Sequence, residues 1–409
     1  MNVLAVALAD ESQRFIKGYP PKGARMFLQP NIEVMRIAAL LQPGDDLRYI
    51  DERVDAAEPG DGGICLVHVG LGQDDRAREL QRNWTGRGCT PVFFGPQVSA
   101  WRDAAPIWCS PRVVGDITDV WDRLRADAGS GNLQPLYRAT GRPGYVAPRP
   151  VKVNLEMDSG RQTIQFVRGC FCPEPIKPLC PEHLYYGNSR LMRTPEEVIG
   201  EVITLPRKRI YLLDEDVAAL PDYYYDVFRE LWNYRRQWVV NASDRLFEHP
   251  RLIRLLAKAG TKVVYLNETF LLGRLEQAIT DPRVVRQLYR RVKSLQAAKM
   301  LVGARLALPA EPGTPTDYDK IASVLRQIDL DFVEPRFLGP DGSLVRVAYR
   351  PMVTSGEPAW LKNRFYSMET IADRLVRRPR RVGFFTTAVY LLPYSAAYRQ
   401  SFLEGLPWP

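Results

Sequence analysis

Long hydrophobic runs are scarce in this chain of 409 residues. The apolar start, Met1 to Ala9, has neither a basic flank nor a small-residue cleavage site, so it reads as a buried strand and not as a secretory signal. Val382 to Tyr398 is apolar but interrupted by Thr386, Thr387, Pro393 and Ser395, and it falls short of the roughly 20 apolar residues of a spanning helix. A soluble, cytoplasmic protein without a membrane partner is expected. Clustered basic charge is also missing. The net charge is +9, yet Arg377-Arg378-Pro379-Arg380-Arg381 is the single dense run. Such a run fits a solvated helix end better than a nucleic-acid surface, so no nucleic-acid partner is expected.

Histidine is rare, with three residues in all, and these form no cluster. Cysteine is sparse too, at positions 65, 89, 109, 170, 172 and 180. Cys65, Cys89 and Cys109 are dispersed through the first third of the chain, where thiols usually act as small core hydrophobes. The other three crowd into eleven residues. Crowding of that kind in a cytosolic chain points to metal or redox chemistry.

What the sequence has in plenty is alternation between strand and helix signals. Val3–Leu8, Leu47–Ile50, Gly63–Val69, Pro91–Phe94 and Arg112–Val114 read as strands, and Ile32–Leu41, Asp74–Trp84 and Thr118–Arg125 as helices. This pattern implies a doubly wound, Rossmann-like sheet over residues 1–130, whose ligands bind at the carboxyl ends of the strands. Gly70, Gly95 and Gly115 lie at those ends. Residues 131–150 are rich in Gly and Pro and read as a linker.

A second βα series follows. Thr163–Val167, Arg209–Leu213, Trp238–Asn241, Lys262–Leu266, Met300–Leu306 and Phe332–Glu334 read as strands with helices between them. Thr194, Pro195 and Glu197 make a capping box that opens one helix. Six repeats over residues 151–338 predict a partial (β/α)6 barrel of the TIM type, with active groups at the carboxyl strand ends. Residues 339–409 show no repeat and read as a C-terminal extension.

The crowded cysteines lie on Phe166-Val-Arg-Gly-Cys170-Phe-Cys172-Pro-Glu-Pro-Ile-Lys-Pro-Leu-Cys180-Pro, directly after the first strand of the second series. Three thiolates suit three irons of a [4Fe–4S] cluster, leaving the fourth iron open. A zinc site prefers four ligands and paired spacings, with His183 as the only neighbouring candidate, and unrelated buried thiols are the third reading. From the loop alone all three stand, with the cluster favoured by ligand type.

Taken together, the chain resembles the radical S-adenosylmethionine enzymes with an N-terminal cobalamin-binding domain. The resemblance spans roughly residues 1–335. It rests on Val34-Met-Arg-Ile-Ala-Ala-Leu-Leu41, Leu47-Arg-Tyr-Ile-Asp51, Pro91-Val-Phe-Phe-Gly95, Val113-Val-Gly115 and Trp121-Asp-Arg-Leu124. In the second series it rests on Arg168-Gly-Cys170, Arg193-Thr-Pro-Glu-Glu-Val198, Ile210-Tyr-Leu-Leu-Asp-Glu-Asp216 and Leu255-Leu-Ala-Lys-Ala-Gly260. Three features depart from the family pattern. The loop is C-x-C-x7-C instead of C-x3-C-x2-C, Gly95-Pro-Gln97 stands where Gly-Gly-x-His is common, and no D-x-H-x-x-G motif is present.

The resemblance implies a [4Fe–4S] cluster on Cys170, Cys172 and Cys180. It implies S-adenosylmethionine contacts from Asp214, Glu215, Asp216, Asn241, Ser243, Glu268 and Arg305. It implies cobalamin over His68, Gly70, Gly95, Gln97 and Gly115. The implied activity is reductive cleavage of S-adenosylmethionine and methylation, or another radical modification, of a small molecule or natural product. An electron donor such as flavodoxin or ferredoxin would serve it. The alternative is a corrinoid- or metal-binding relative without radical chemistry.

Overall fold

The computed structural model describes residues 1–9, 31–53, 55–59, 63–101, 104–140, 146, 162–169, 181–186, 191–309, 318–338, 344–345, 364–396 and 398. The chain divides into two compact units. One comprises Met1–Pro20, Leu28–Asp158 and Arg168–Leu191, and the other Pro21–Phe27, Ser159–Val167 and Met192–Pro409.

The first unit is built on six parallel strands: β1 (Asn2–Ala7), β2 (Asp46–Asp51), β3 (Ile64–His68), β4 (Pro91–Phe94), β5 (Arg112–Val114) and β6 (Leu136–Arg138), in the order β2-β1-β3-β4-β5-β6. Strand β1 alternates its side chains between two cores, which is why it reads as an unbroken apolar run. Val3 and Ala5 pack with Val34 and Ile37 of α1 (Ile32–Leu40) and with Trp121 and Leu124 of α4 (Ile117–Gly129). Leu4, Val6 and Leu8 pack with Ala77, Leu80 and Trp84 of α2 (Asp74–Thr85). The sheet is therefore covered on both faces, as the alternation predicts.

Two elements differ from the sequence reading. A short helix α3 (Pro96–Trp101) follows Gly95, and Leu136–Arg138, read as linker, forms the sixth strand. Only three residues pair there, too few for a periodic signal. Tyr137 nevertheless anchors β6 in the core, with its hydroxyl donating to Asp127 Oδ2 at 2.9 Å.

In the second unit, β7 (Gln162–Ile164), β10 (Arg209–Leu212), β11 (Gln237–Ala242), β12 (Thr261–Leu266), β13 (Leu301–Pro309) and β14 (Phe332–Leu338) run parallel in sequence order. An antiparallel strand β15 (Leu344–Val345) borders β14. Two short strands, β8 (Val167–Arg168) and β9 (Leu191–Met192), pair as a separate ribbon, so the expected strand Thr163–Val167 is in fact two pieces. Helices α6 (Pro195–Thr204), α7 (Pro221–Leu231), α8 (Pro250–Lys258), α10 (Pro282–Ala297) and α11 (Tyr318–Gln327) connect the barrel strands, with a short α9 (Leu275–Thr280) ahead of α10. The Thr194–Glu197 capping box forms in both directions. Trp238 faces the helix layer, edge-on to Phe166 at 5.8 Å and to Phe228 at 5.4 Å.

The inner face of this sheet carries Tyr211, Asn241, Tyr265, Gly303, Arg305, Phe332 and Glu334, which share one side by register and alternation. Gly303 has a packing reason: a Cβ there would lie 2.5 Å from the Tyr265 ring. The C-terminal extension, unplaced from sequence, covers the lower part of this face. Tyr398 Oη lies 3.0 Å from Tyr265 Oη, Tyr394 packs on Phe332 at 5.3 Å, and Tyr390 donates to Gln237 Oε1 at 2.8 Å. Tyr366 bonds both backbone groups of Val333, at 2.8 and 2.9 Å. Helix α12 (Met368–Arg377) precedes Arg378, whose guanidinium bonds Asp331 and Asp329.

Candidate functional site

Polar side chains collect at the carboxyl ends of the second unit's strands. Arg305 of β13 is 7 % exposed and donates to Glu215 Oε2 at 2.7 Å, just beyond β10. It also approaches Asn241 Oδ1 of β11 at 3.4 Å and Glu334 of β14 at 3.9 Å. Burial opposes the charge of Arg305, but Glu215, Glu268 and Glu334 outweigh it and hold its pKa well above the ordinary guanidinium value. The Arg305 Nε and the Ser243 hydroxyl are both buried and make no hydrogen bond. Asn241 is fixed by donating to Leu212 O at 3.3 Å and Asp214 O at 3.1 Å.

Two carboxylates nominated from sequence are engaged with backbone. Asp216 Oδ1 accepts from Ala218 N and Ser243 N, each at 2.8 Å, and ties the end of β10 to the end of β11. Its carboxyl is raised above the usual range by burial. Asp214 accepts from Phe166 N at 2.9 Å, Val167 N at 3.0 Å and Tyr224 Oη at 2.6 Å. Burial pushes its carboxyl up to about 7, against these bonds, which favour the charged form. Its place in the structure is thus at the root of the cysteine loop. Glu215, Asn241, Ser243, Glu268 and Arg305 are brought together, while Asp214 and Asp216 brace what surrounds them. Tyr211 and Glu334 were not singled out from sequence. Tyr211 donates to Asn241 Oδ1 at 3.3 Å. The signal was available, since both lie one residue out of phase with the helix-facing apolar positions of their strands.

Cys170, Cys172 and Cys180 lie outside the described residues. The residues flanking them are firmly held within the first unit. Arg168 pairs with Asp116 at 2.8 Å, both almost fully buried, and lies over the Tyr186 ring at 5.0 Å. On the far side, helix α5 (Pro181–Tyr186) sets Tyr185 Oη to accept from Ile117 N at 3.1 Å. Tyr186 Oη accepts from Arg36 at 2.6 Å and donates to Glu33 at 2.6 Å. Among the described residues no group of three His, Cys, Asp or Glu is placed to hold a metal. Cys65, Cys89 and Cys109 form no disulfide; Cys89 Sγ lies 2.8 Å from Cys65 Sγ, and burial pushes the Cys109 thiol up to about 12.

In the first unit the strand order reverses between β1 and β3, and that crevice is where such sheets take ligands. Buried Gln73 spans it, donating to Leu8 O at 2.9 Å and accepting from Gly70 N at 2.7 Å. His68 is half-buried, edge-on to Phe94 at 5.3 Å. Gly95 has φ +112°, and a Cβ on it would meet Val69 O at 2.8 Å and the His68 ring at 3.0 Å. Gly115 has φ +88° and donates to Ser99 Oγ at 2.9 Å, and Gln97 Oε1 accepts from Gly72 N at 2.9 Å. A Cβ on Gly115 would likewise meet Ala139 Cβ at 2.8 Å, so at both strand ends the close approach of the protein's own atoms requires glycine.

No family profile matches the chain. Its fold is similar to that of a radical S-adenosylmethionine methyltransferase of known structure. TsrM from Kitasatospora setae, solved with tryptophan substrate and the analogue aza-SAM, superposes with a TM-score of 0.53 over 82 % of this chain and 72 % of that one, at 15 % identity. The same enzyme with cobalamin and a [4Fe–4S] cluster gives 0.52 over 82 % and 74 %, at 16 % identity. In sequence, the bacteriochlorophyllide d C-12(1)-methyltransferase of Chlorobaculum tepidum is 20 % identical over 248 residues, 57 % of this chain. The chain spans 54 % of that relative's length. No helix among the described residues is long and apolar enough to cross a membrane.

Proposed function

We propose that this chain is a radical S-adenosylmethionine enzyme that uses cobalamin to methylate a small molecule or natural product. The observation that carries the proposal is the strand-end set of the second unit. One buried guanidinium, flanking carboxylates and an orphaned hydroxyl match a zwitterion with a ribose. Bound to a reduced [4Fe–4S] cluster, S-adenosylmethionine supplies a carbon radical or a methyl group, and cobalamin supplies a methyl carrier.

Within this reading Arg305 pairs with the ligand's carboxylate, using the Nε that makes no hydrogen bond within the chain. Glu215 and Glu268 receive its ammonium, and Ser243 and Asn241 hold ribose or carboxylate oxygens. Asp216 positions Ser243 by bonding its backbone. Cys170, Cys172 and Cys180 hold the cluster. Asp214 and Arg168 on the side before the loop, and Tyr185 and Tyr186 on the side after it, hold the residues that flank the three thiols. Cobalamin would lie over the strand ends at Gly95 and Gly115, with Gly70, His68 and Gln97 beside them, at the carboxyl side of the sheet where such folds take ligands. The similarity to TsrM supports the cofactor set, and an electron donor of the flavodoxin or ferredoxin kind would complete the system.

Anaerobic reconstitution tests the proposal. Wild type should take up about four irons and four sulfides per chain and cleave S-adenosylmethionine under a strong reductant. The Cys170→Ala, Cys172→Ala, Cys180→Ala variant should take up almost none, while Cys65, Cys89 and Cys109 variants keep the full content. Full iron in the triple variant would remove the cluster from this loop and the proposal with it.

A further inference from the structure

Beside the N-terminal end of β14, away from the strand-end set, a cavity of about 300 Å³ opens between the last turn of α11 and helix α12. Ser367, Thr370, Arg374 and Arg377 line it from one face of α12 and the residues leading into it, with Arg326 and Arg364 nearby. Arg374 is unusual among them. It is 3 % exposed, and its guanidinium lies over the Phe365 ring at 3.8 Å. Its Nη1 is buried without a hydrogen-bond partner, and its side chain makes no ion pair among the described residues. Burial draws its pKa down to about 10.

The nearby carboxylates Asp331 and Asp329 offset this charge only in part. Asp331 is bonded by Arg378, and Asp329 by Arg378, Arg381 and Lys293. Four cations (Lys293, Arg374, Arg378 and Arg381) thus face two carboxylates. Glu369 and Asp373 also line the cavity, but Asp373 is paired with Arg377 and Arg364 is paired with Asp319. Arg326 makes no ion pair among the described residues. Ser367 caps α12 by accepting from Thr370 N at 3.1 Å, so the positive end of a ten-residue helix adds to the same side of the cavity.

A buried guanidinium without a counterion is costly, and chains that retain one commonly pair it with something. We propose that this cavity binds a small oxyanion, the phosphate or carboxylate of a ligand, with Arg374 as its buried anchor and Arg326 at its rim. The guanidinium fork matches either group in bidentate geometry.

Thermal unfolding of the full chain, with sodium phosphate, citrate or chloride at matched ionic strength, tests the site. Phosphate or citrate should raise the midpoint saturably by on the order of 3 °C over chloride, and the stronger of the two identifies which oxyanion is preferred. Arg374→Gln should abolish the shift while folding at least as well as wild type in chloride, because an uncompensated charge has gone. Arg326→Gln, at an exposed position, should weaken the half-saturating concentration severalfold, and Arg305→Leu should leave the shift intact. If chloride acts as phosphate and citrate do, or if Arg374→Gln and Arg326→Gln both respond as wild type, the site does not exist.

Discussion

At the ends of β3, β4 and β5 the chain places His68, Gly95 and Gly115, whereas at the ends of β10, β11 and β13 it places Glu215, Asn241 and Arg305. Both sheets follow the same rule, that ligands meet parallel strands at their carboxyl ends. They equip those ends differently. The first sheet turns its local polar groups onto its own backbone, as Gln73 does across the switch point, and leaves glycine where bulk would intrude. The second leaves donors unsatisfied, at Arg305 Nε and Ser243 Oγ. Polar groups already bonded within the sheet suit a broad ligand gripped over a large face, and unsatisfied charge suits a small one recognised group by group. The buried charges of the first unit pair with one another: Arg168 with Asp116, and Arg36 with Glu33 and Tyr186.

That contrast can be broken most forcefully by exchanging one arginine in each unit for an apolar residue. Arg168→Met strands a buried Asp116 and should cost about 3–5 kcal/mol, seen as a lower urea midpoint. Arg305→Leu should change the midpoint much less, because Glu215 is half exposed and already reaches water, while S-adenosylmethionine binding by equilibrium dialysis falls on the order of a hundredfold. Equal stability losses in the two variants would erase the distinction between structural and ligand-directed charge.

A smaller and pH-dependent effect belongs to Asp214. Its carboxyl stands at about 7 in the folded chain, through burial, against 3.8 ordinarily. The folded state therefore binds the extra proton between those values. Its contribution to stability is full below about pH 4 and is lost as the pH rises through 7, by roughly 4 kcal/mol at most. Urea midpoints at pH 5, 6, 7 and 8 should fall for wild type and stay flatter for Asp214→Asn, whose amide still accepts from the loop backbone. Parallel profiles would mean that another group, such as Asp216, sets the slope.

How legible this was from sequence varies by element for physical reasons. The first strand, the capping box at Thr194 and the six parallel repeats are local patterns, and they read correctly. Helix α3 is six residues long and β6 three, too short for any period to register. Helix α12 has an ordinary Ser367 cap, but its buried side includes Arg374, and a face that buries arginine shows no apolar stripe. At the site, Glu215, Asn241, Ser243, Glu268 and Arg305 came from the family resemblance applied to the strand ends. The role of Asp214 as a brace could not, because it depends on Phe166 and Val167, nearly fifty residues earlier in the chain.

The smallest effect concerns what fills the barrel below the strand-end set. Tyr265 lies flat across Gly303, and the Tyr265–Tyr398 hydroxyl pair pins it there. Gly303→Ala would put a methyl group 2.5 Å from that ring, and Phe332 Cβ at 3.4 Å closes the other direction. The ring must therefore shift and lose Tyr398, at a cost of about 1–3 kcal/mol in the urea midpoint. Tyr265→Leu removes both the clash and the pinned hydroxyl, so adding it to Gly303→Ala should cost less than the sum of the two single changes. Such coupling would place the C-terminal tyrosines as the floor of the barrel and confine the ligand to the layer of Arg305 and Glu334. Strict additivity would mean that Tyr265 moves freely, and that the extension covers the barrel without setting its depth.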